Sequence, residues 1–269
     1  MEFVLYEAKD KIAAITLNRP EARNAQNKQM LDELDACWTK AAQDDDVRVI
    51  VLKANGPHFS SGHDISIKPG EPTTIDLKNK GLEAIFHFER VHYLGYSRKW
   101  RDVPKPSIAA VQGACIAGGL MLCWPCDLIV AAENAFFNDP VLRMGIGGVE
   151  YHAHTWEFGA RKAKELLFTA GRFDAHEAHR LGMVNRVVPT EKLEQEAFAL
   201  AAQIAEMHPF ALAQAKRMVN NTLDIMGQHN ALQAAFDVHT TGHGNAISVT
   251  GWPVIMGLEG MKKAQKEGA

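Results

Sequence analysis

Twice along this chain an apolar, β-branched run breaks into a glycine-containing loop. Residues 47–53 lead through Gly56-Pro57 into Phe59-Ser60-Ser61-Gly62-His63-Asp64-Ile65, and residues 107–111 lead through Gly113 into Ala114-Cys115-Ile116-Ala117-Gly118-Gly119-Leu120. A run of that kind reads as a buried strand. A strand that passes through a tight glycine turn into a helix start leaves backbone N–H groups unpaired and aimed at negative charge. Two such segments make a paired donor site, the arrangement that holds an oxyanion.

With 269 residues, 46% of them hydrophobic, the chain has ample material for one sizeable core and too little for two ordinary domains with linkers. One main domain with an appendage is expected. A net charge of -3 argues against a nucleic-acid surface; the basic residues Lys262, Lys263 and Lys266 read as a solvated helix end. No apolar run approaches the roughly 18 residues of a membrane span, and nothing at the N-terminus resembles a secretory signal. A cytoplasmic protein with no nucleic-acid or membrane partner is expected. Cys123-Trp124-Pro125-Cys126 has C-x-x-C spacing but follows an apolar run instead of opening a helix after a strand, so buried structural thiols are expected.

The pattern predicts a hairpin around Lys9-Asp10, a helix over 24–43, and a long helix over 77–101 that ends before Pro104. Short strands follow over 127–132 and 135–138, then a helix over 156–170. Asp174 with Glu177 three residues on reads as a capping box whose helix ends at Gly182, ahead of a strand over 183–188. Beyond Thr190 the spacing is helical throughout, over 193–207, 210–223 and 225–238.

Five segments in order carry a resemblance: residues 16–25 (Thr16-Leu17-Asn18-Arg19-Pro20 to Asn24-Ala25), the Phe59 to Ile65 loop, residues 106–119, residues 126–131, and Gly182-Met183-Val184-Asn185. Together they resemble the crotonase, or enoyl-CoA hydratase/isomerase, superfamily, collinear over roughly residues 1–200. The resemblance implies an α/β fold: a crotonase-like ββα spiral over 1–200 with the acyl-CoA site, and an all-helical trimerisation region over 201–269. It implies an acyl-CoA substrate, with coenzyme A part of the substrate and no separate cofactor, and a homotrimer or a dimer of trimers. It also implies an oxyanion hole made by the backbone N–H groups of His63 and Gly118, which hold the thioester carbonyl. Coenzyme A is then expected against Arg23, Ala25, His63, Asp64, Ile65, Ser66, Gly118 and Gly119, with Arg23 and Lys68 facing phosphate.

The departure from the family pattern bears on the reaction. The positions of the two hydratase glutamates read Met121 and, after Asp139-Pro140, Val141. Neither side chain moves a proton, and water addition needs both a base and an acid. Glu150, after Gly147-Gly148-Val149, is the candidate base or nucleophile, with His154 one helical turn on as its partner and His63 a further candidate. Asp139 reads as a turn residue. His152 and His154 would be splayed on the expected helix, so no metal site is expected there. His239 to Asn245 is expected to border a pocket or a subunit interface. Three readings stand: an isomerase, hydratase or hydrolase of thioester or C–C bonds; a non-catalytic acyl-CoA binder; or an assembly subunit.

Overall fold

The computed structural model describes residues 1–65, 75–257 and 260. Ser66, Lys68 and the Lys262, Lys263, Lys266 group lie outside the described residues, as does most of the 67–76 loop. Strands β1 (Val4–Lys9) and β2 (Ile12–Leu17) pair antiparallel, closed by Asp10 and Lys11, both at positive φ, the conformation of a type I′ hairpin. From β2 the large sheet continues in parallel through β3 (Val49–Ala54), β4 (Ser107–Val111), β6 (Leu128–Ala132) and β9 (Arg186–Val188). A smaller sheet holds β5 (Ala114–Ile116), β7 (Phe136–Asn138) and β8 (Arg172–Asp174).

The uniformly apolar strands are explained by two cores. Ile15, Leu17, Ile50, Leu52, Ala109, Val111 and Ile129 face one core; Ile12, Val49, Val51, Ile108, Ala110 and Val130 face the other. Side chains alternate between the faces, and each face is covered, so no polar alternation survives in the sequence. Helix α1 (Lys28–Gln43) supplies Met30, Leu31, Leu34 and Trp38 to the first core. Helix α8 (Leu193–Ala205) supplies Leu193, Ala197, Ala201 and Ala205, spaced by four, to the second. The boundary expected at residue 200 therefore falls inside a helix that belongs to the sheet.

The spiral is visible in the pairing. After each parallel strand the chain crosses to a second layer, where Gln26 bridges His63, Ser60 bridges Cys115, and β5 pairs β7. Each turn contributes one strand to the large sheet and one extended segment to the smaller layer. Both glycine-containing loops lie in that second layer.

The stretch expected as one helix over 77–101 is broken. Helix α2 (Leu77–Lys80) stops at Gly81, whose φ of 54° few other residues adopt, and α3 (Leu82–Glu89) runs into a π-helical turn, Arg90–Gly95, before α4 (Tyr96–Arg101). After the short α5 (Leu120–Cys123), α6 (His154–Thr169) carries a kink at Gly159, and α7 (Ala175–Leu181) is capped by the Asp174 carboxylate on the Glu177 N–H. Then come α9 (Pro209–Ile225) and α10 (Gln228–Thr250), the latter running on to residue 250 instead of stopping at 238. Buried Arg101 ties these helices to the body, donating to both Asp224 oxygens, the Gln228 amide oxygen and the Asn220 carbonyl. No described helix is long and apolar enough to cross a membrane.

Two local devices set the loops. Gly113, at φ 56°, has the Pro57 carbonyl oxygen where a Cβ would stand. Gly113→Ala is expected to cost at least about 2 kcal/mol through the left-handed backbone and the clash, read as a fall in Tm of about 4 °C or more. Asp139 is a strut: its carboxylate accepts the N–H groups of Val141 and Val149, at 3.3 and 3.0 Å, and lies 3.0 Å from His154 Nε2. Burial opposes its charge, but His154 and the two N–H groups outweigh burial and hold its pKa below the usual aspartate value. A depressed pKa gives stability that is complete above the unfolded value, about 3.9, and is lost as pH falls through the folded one. Asp139→Asn should therefore lower unfolding stability by about 1–3 kcal/mol at neutral pH, and denaturant titrations at acid pH should show the gap to the wild type closing.

Candidate active site

The Phe59 to Asp64 segment is held by backbone bonds on both edges. On one side Phe59 N–H donates to Gln112, Ser60 N–H to Ala114, and Ile116 N–H to Ser60; on the other Gln26 N–H donates to Gly62 and Asp64 N–H to Gln26. Because its neighbours bond to Gln26, the His63 N–H points to the opposite edge, where residues 116–118 run. Gly62, at φ 93°, allows that approach: a Cβ there would stand 2.8 Å from Ile116 O and 3.1 Å from Gly118 N. Gly118 lies in the 3-10 turn Ala117–Gly119 that opens α5, where an N–H has no intrahelical acceptor. Neither the His63 nor the Gly118 N–H finds a protein acceptor among the described residues. Gly119 is forced by the Ser60 carbonyl, 2.8 Å from the position of a Cβ.

Side chains brace this frame. Ser60 Oγ donates to Asn24 O and accepts from Gly62 N–H and Gln26 Nε2, while Asn24 Nδ2 donates to the carbonyls of Asn55 and His58. Arg23 is exposed at positive φ, Ala25 is half-buried, and Ile65 is exposed. Asp64 is engaged by Arg19, whose Nη1 is 2.6 Å from its carboxylate and also donates to Ala25 O. Among the described residues expected to face coenzyme A, Arg23 is thus the exposed cation.

The structure brings Glu150 to this turn, buried to 5% exposure, but not with the partner expected. Its Oε2 is 3.7 Å from His63 Nε2 and its Oε1 3.5 Å from His239 Nε2. His63 lies over Gly118, its ring occupying the direction a Gly118 Cβ would take. The expected Glu150 and His154 couple does not form, because Ala153 and His152 precede α6 and His154 turns to Asp139. His152 sits with its ring 4.3 Å from that of His154, and burial pushes its pKa down to about 4. Met121 is buried in the core and Val141 packs against it, both without a titratable group.

Glu89 completes the cluster. Its carboxylate lies 3.3 Å from both His239 Nε2 and His243 Nε2, and the ring of Tyr93 packs edge-on to His63 with centroids 3.8 Å apart. Burial pushes the Glu150 carboxyl up, with His239 and His63 pulling against it. Burial also opposes the charge on Glu89, yet His239 and His243 hold it down at about 2. His239 is lifted to about 9, the two carboxylates outweighing burial. The Tyr93 phenol is pushed well up by burial and by Glu150 and Glu89, so it stays protonated. Sequence reasoning missed Glu89 and Tyr93, although Glu89 stands four residues from Ile85 on the apolar stripe of α3, where a carboxylate has no solvent. The four cysteines are free and buried, and burial pushes the Cys123 and Cys126 thiols well up.

A family model described as Enoyl-CoA hydratase/isomerase matches residues 7–251. A putative enoyl-CoA hydratase, EchA13, of Mycobacterium tuberculosis is 42% identical over 271 residues, covering 95% of this chain and 85% of that protein. Two crystal structures of probable enoyl-CoA hydratases share the fold. The one from Mycobacterium smegmatis is 59% identical with a TM-score of 0.89 over 95% of this chain and all of that one. The one from Mycobacterium thermoresistibile is 61% identical with a TM-score of 0.89 over 94% of this chain and all of that one. With the crossovers between two strand layers, the braced Gly62 and Gly118 loops and the helical C-terminal region, this chain belongs to the enoyl-CoA hydratase/isomerase family and has the crotonase fold.

Proposed function

We propose that this protein is an enzyme acting on an acyl-CoA thioester by moving a proton at the acyl α-carbon, with the enolate oxygen held by the backbone N–H groups of His63 and Gly118. The observation that carries the reading is the position of Glu150, a buried carboxylate next to the His63 ring that covers Gly118. In the reaction Glu150 takes the α-proton as the C–H pair moves into the enolate and the thioester oxygen becomes negative. Return of that proton to another carbon of the acyl chain completes a double-bond isomerisation. The conjugate acid of one carboxylate thus serves as the acid for the second half. Water addition by two carboxylates is disfavoured because Met121 and Val141 stand at the expected glutamate positions. Thioester or C–C bond hydrolysis remains the second chemistry compatible with an oxyanion hole, and the experiment below separates it by product mass.

Arg23 and the backbone around Asp64 and Ile65 are the groups we assign to coenzyme A, the acyl group lying toward Glu150. The apolar residues Phe210, Met218, Val219 and Ile225 on α9 are exposed, which supports self-association as a homotrimer or a dimer of trimers. Light scattering on the purified chain is expected to return a mass of three or six protomers.

Incubation with enoyl-CoA, dienoyl-CoA and β-ketoacyl-CoA thioesters in deuterated water should show α-carbon exchange and a product of unchanged mass apart from deuterium. Glu150→Gln should lower that exchange about 10²–10⁴-fold while thioester binding is retained; exchange at the wild-type rate would overturn the assignment. Binding without exchange in the wild type would make the protein a carrier of acyl-CoA. Gly118→Ala, whose methyl collides with the His63 ring, should lose both exchange and binding.

A further inference from the structure

We propose that Glu89, His239 and His243 form a binding site for one divalent transition-metal ion of the zinc class, built between α3 and α10. The inference is independent of the acyl-CoA reading. The three ligand atoms all lie within 4.8 Å of one another in a buried setting.

Proton accounting leads there. His239 Nδ1 is 2.6 Å from Gly148 O and His243 Nδ1 is 2.7 Å from Pro253 O. A carbonyl only accepts, so both Nδ1 atoms carry the proton and donate it. Each Nε2 is then either a bare lone pair or the second N–H of an imidazolium. The two Nε2 atoms are 3.1 Å apart: two N–H groups cannot face each other at that distance, so at most one proton lies between them. Both also face Glu89 oxygens at 3.3 Å. Without an ion, any proton on Nε2 must go to a Glu89 oxygen 3.3 Å away, longer than an ordinary N–H···O bond, and Glu89 Oε2 is buried without a hydrogen bond of ordinary geometry. A single cation at the centre satisfies them all.

The spacing fits an ion. Zn–N bonds of about 2.0–2.1 Å in tetrahedral geometry set neighbouring ligand atoms roughly 3.3 Å apart; here the two Nε2 atoms are 3.1 Å apart and each is 3.3 Å from a Glu89 oxygen, Oε2 for His239 and Oε1 for His243. The supports fit as well: an Nδ1–H donated to a backbone carbonyl is the usual outer partner of a metal-binding imidazole. His239 and His243 are four residues apart, on one face of α10. Glu89 ends α3 at the start of the π-helical turn. Two imidazoles and a carboxylate suit zinc, cobalt or nickel better than magnesium or calcium. Glu150, with Oε1 3.5 Å from His239 Nε2, is the adjacent carboxylate.

The test uses the full chain freed of metal with a chelator and dialysed against Zn²⁺ alone or Co²⁺ alone. One ion per chain is expected by elemental analysis. Glu89→Gln and His243→Ala should each weaken binding by more than the roughly 10–100-fold that loss of an outer partner costs, whereas His152→Ala should bind as the wild type does. A wild-type chain that retains no ion, or a Glu89→Gln chain that retains it undiminished, overturns the proposal. A readout that needs no variant guards against misfolding: with Co²⁺ the wild type should show strong visible ligand-field absorption and two paramagnetically shifted imidazole N–H resonances. Unshifted imidazole resonances in the presence of Co²⁺ overturn it equally.

Discussion

Of the three carboxylates buried among the described residues, Asp139 has its own imidazole in His154, whereas Glu89 and Glu150 share one, and the interior has to answer both. Taking an ion out of water costs several kcal/mol even after relaxation, so a buried carboxylate persists only with compensating charge. The compensation comes from far along the chain. His239 stands between the two, 3.3 Å from Glu89 and 3.5 Å from Glu150, while His243 and His63 take the outer oxygens. Meeting that demand sets where α10 lies on α3 and where the loop before α6 runs, since His239 also binds Gly148 O. One electrostatic requirement thus joins three segments that no local rule connects.

The sheet supplies the rigid half of the arrangement. Strands covered on both faces have no freedom to slip, because a shift of one residue would exchange the two cores. Residues 59–64 follow the carboxyl end of β3 and residues 114–119 that of β4, the end at which parallel sheets present their ligand sites. There the backbone, braced by Ser60 and Asn24, fixes the His63 and Gly118 N–H groups without relying on either side chain. The two N–H groups belong to the strand layers, whereas Glu89, His239 and His243 come from helices laid over them.

That division explains what could be read from residues alone. The two glycine-containing loops were legible because close approach demands glycine, to the Ile116 carbonyl at Gly62 and to the His63 ring at Gly118, a local constraint written in the residue itself. Glu150 stood out through its place in the family pattern, but its neighbours did not: His154 is near in sequence, whereas the imidazoles beside Glu150 come from positions 63 and 239. The extent of α10 was hidden for another reason. Gly242 and Gly244 are poor helix formers, each costing about 1 kcal/mol relative to alanine, so the pattern fades after 238. Tertiary packing reverses that preference: at Gly242 a Cβ would stand 3.1 Å from Gly145 O and 3.3 Å from Ile146 Cα. The residue that weakens the helix locally lets it lie against the loop before Glu150.

Met121 and Val141, at the positions where the family resemblance leads one to expect glutamates, carry no acid. Buried acid stands elsewhere, at Glu89, which ends α3, and at Glu150, in the loop before α6. Of the two, Glu89 is committed to His239 and His243, which hold it ionised. Glu150 is the one whose charge burial penalises most visibly, and it faces the His63 ring over Gly118. On the proposed reading, a single available carboxylate beside the His63 and Gly118 N–H groups suits a reaction that takes a proton and gives the same proton back. Two-carboxylate water addition needs a second proton carrier at a fixed offset, and Glu89 lies instead against two imidazoles, 3.3 Å from each.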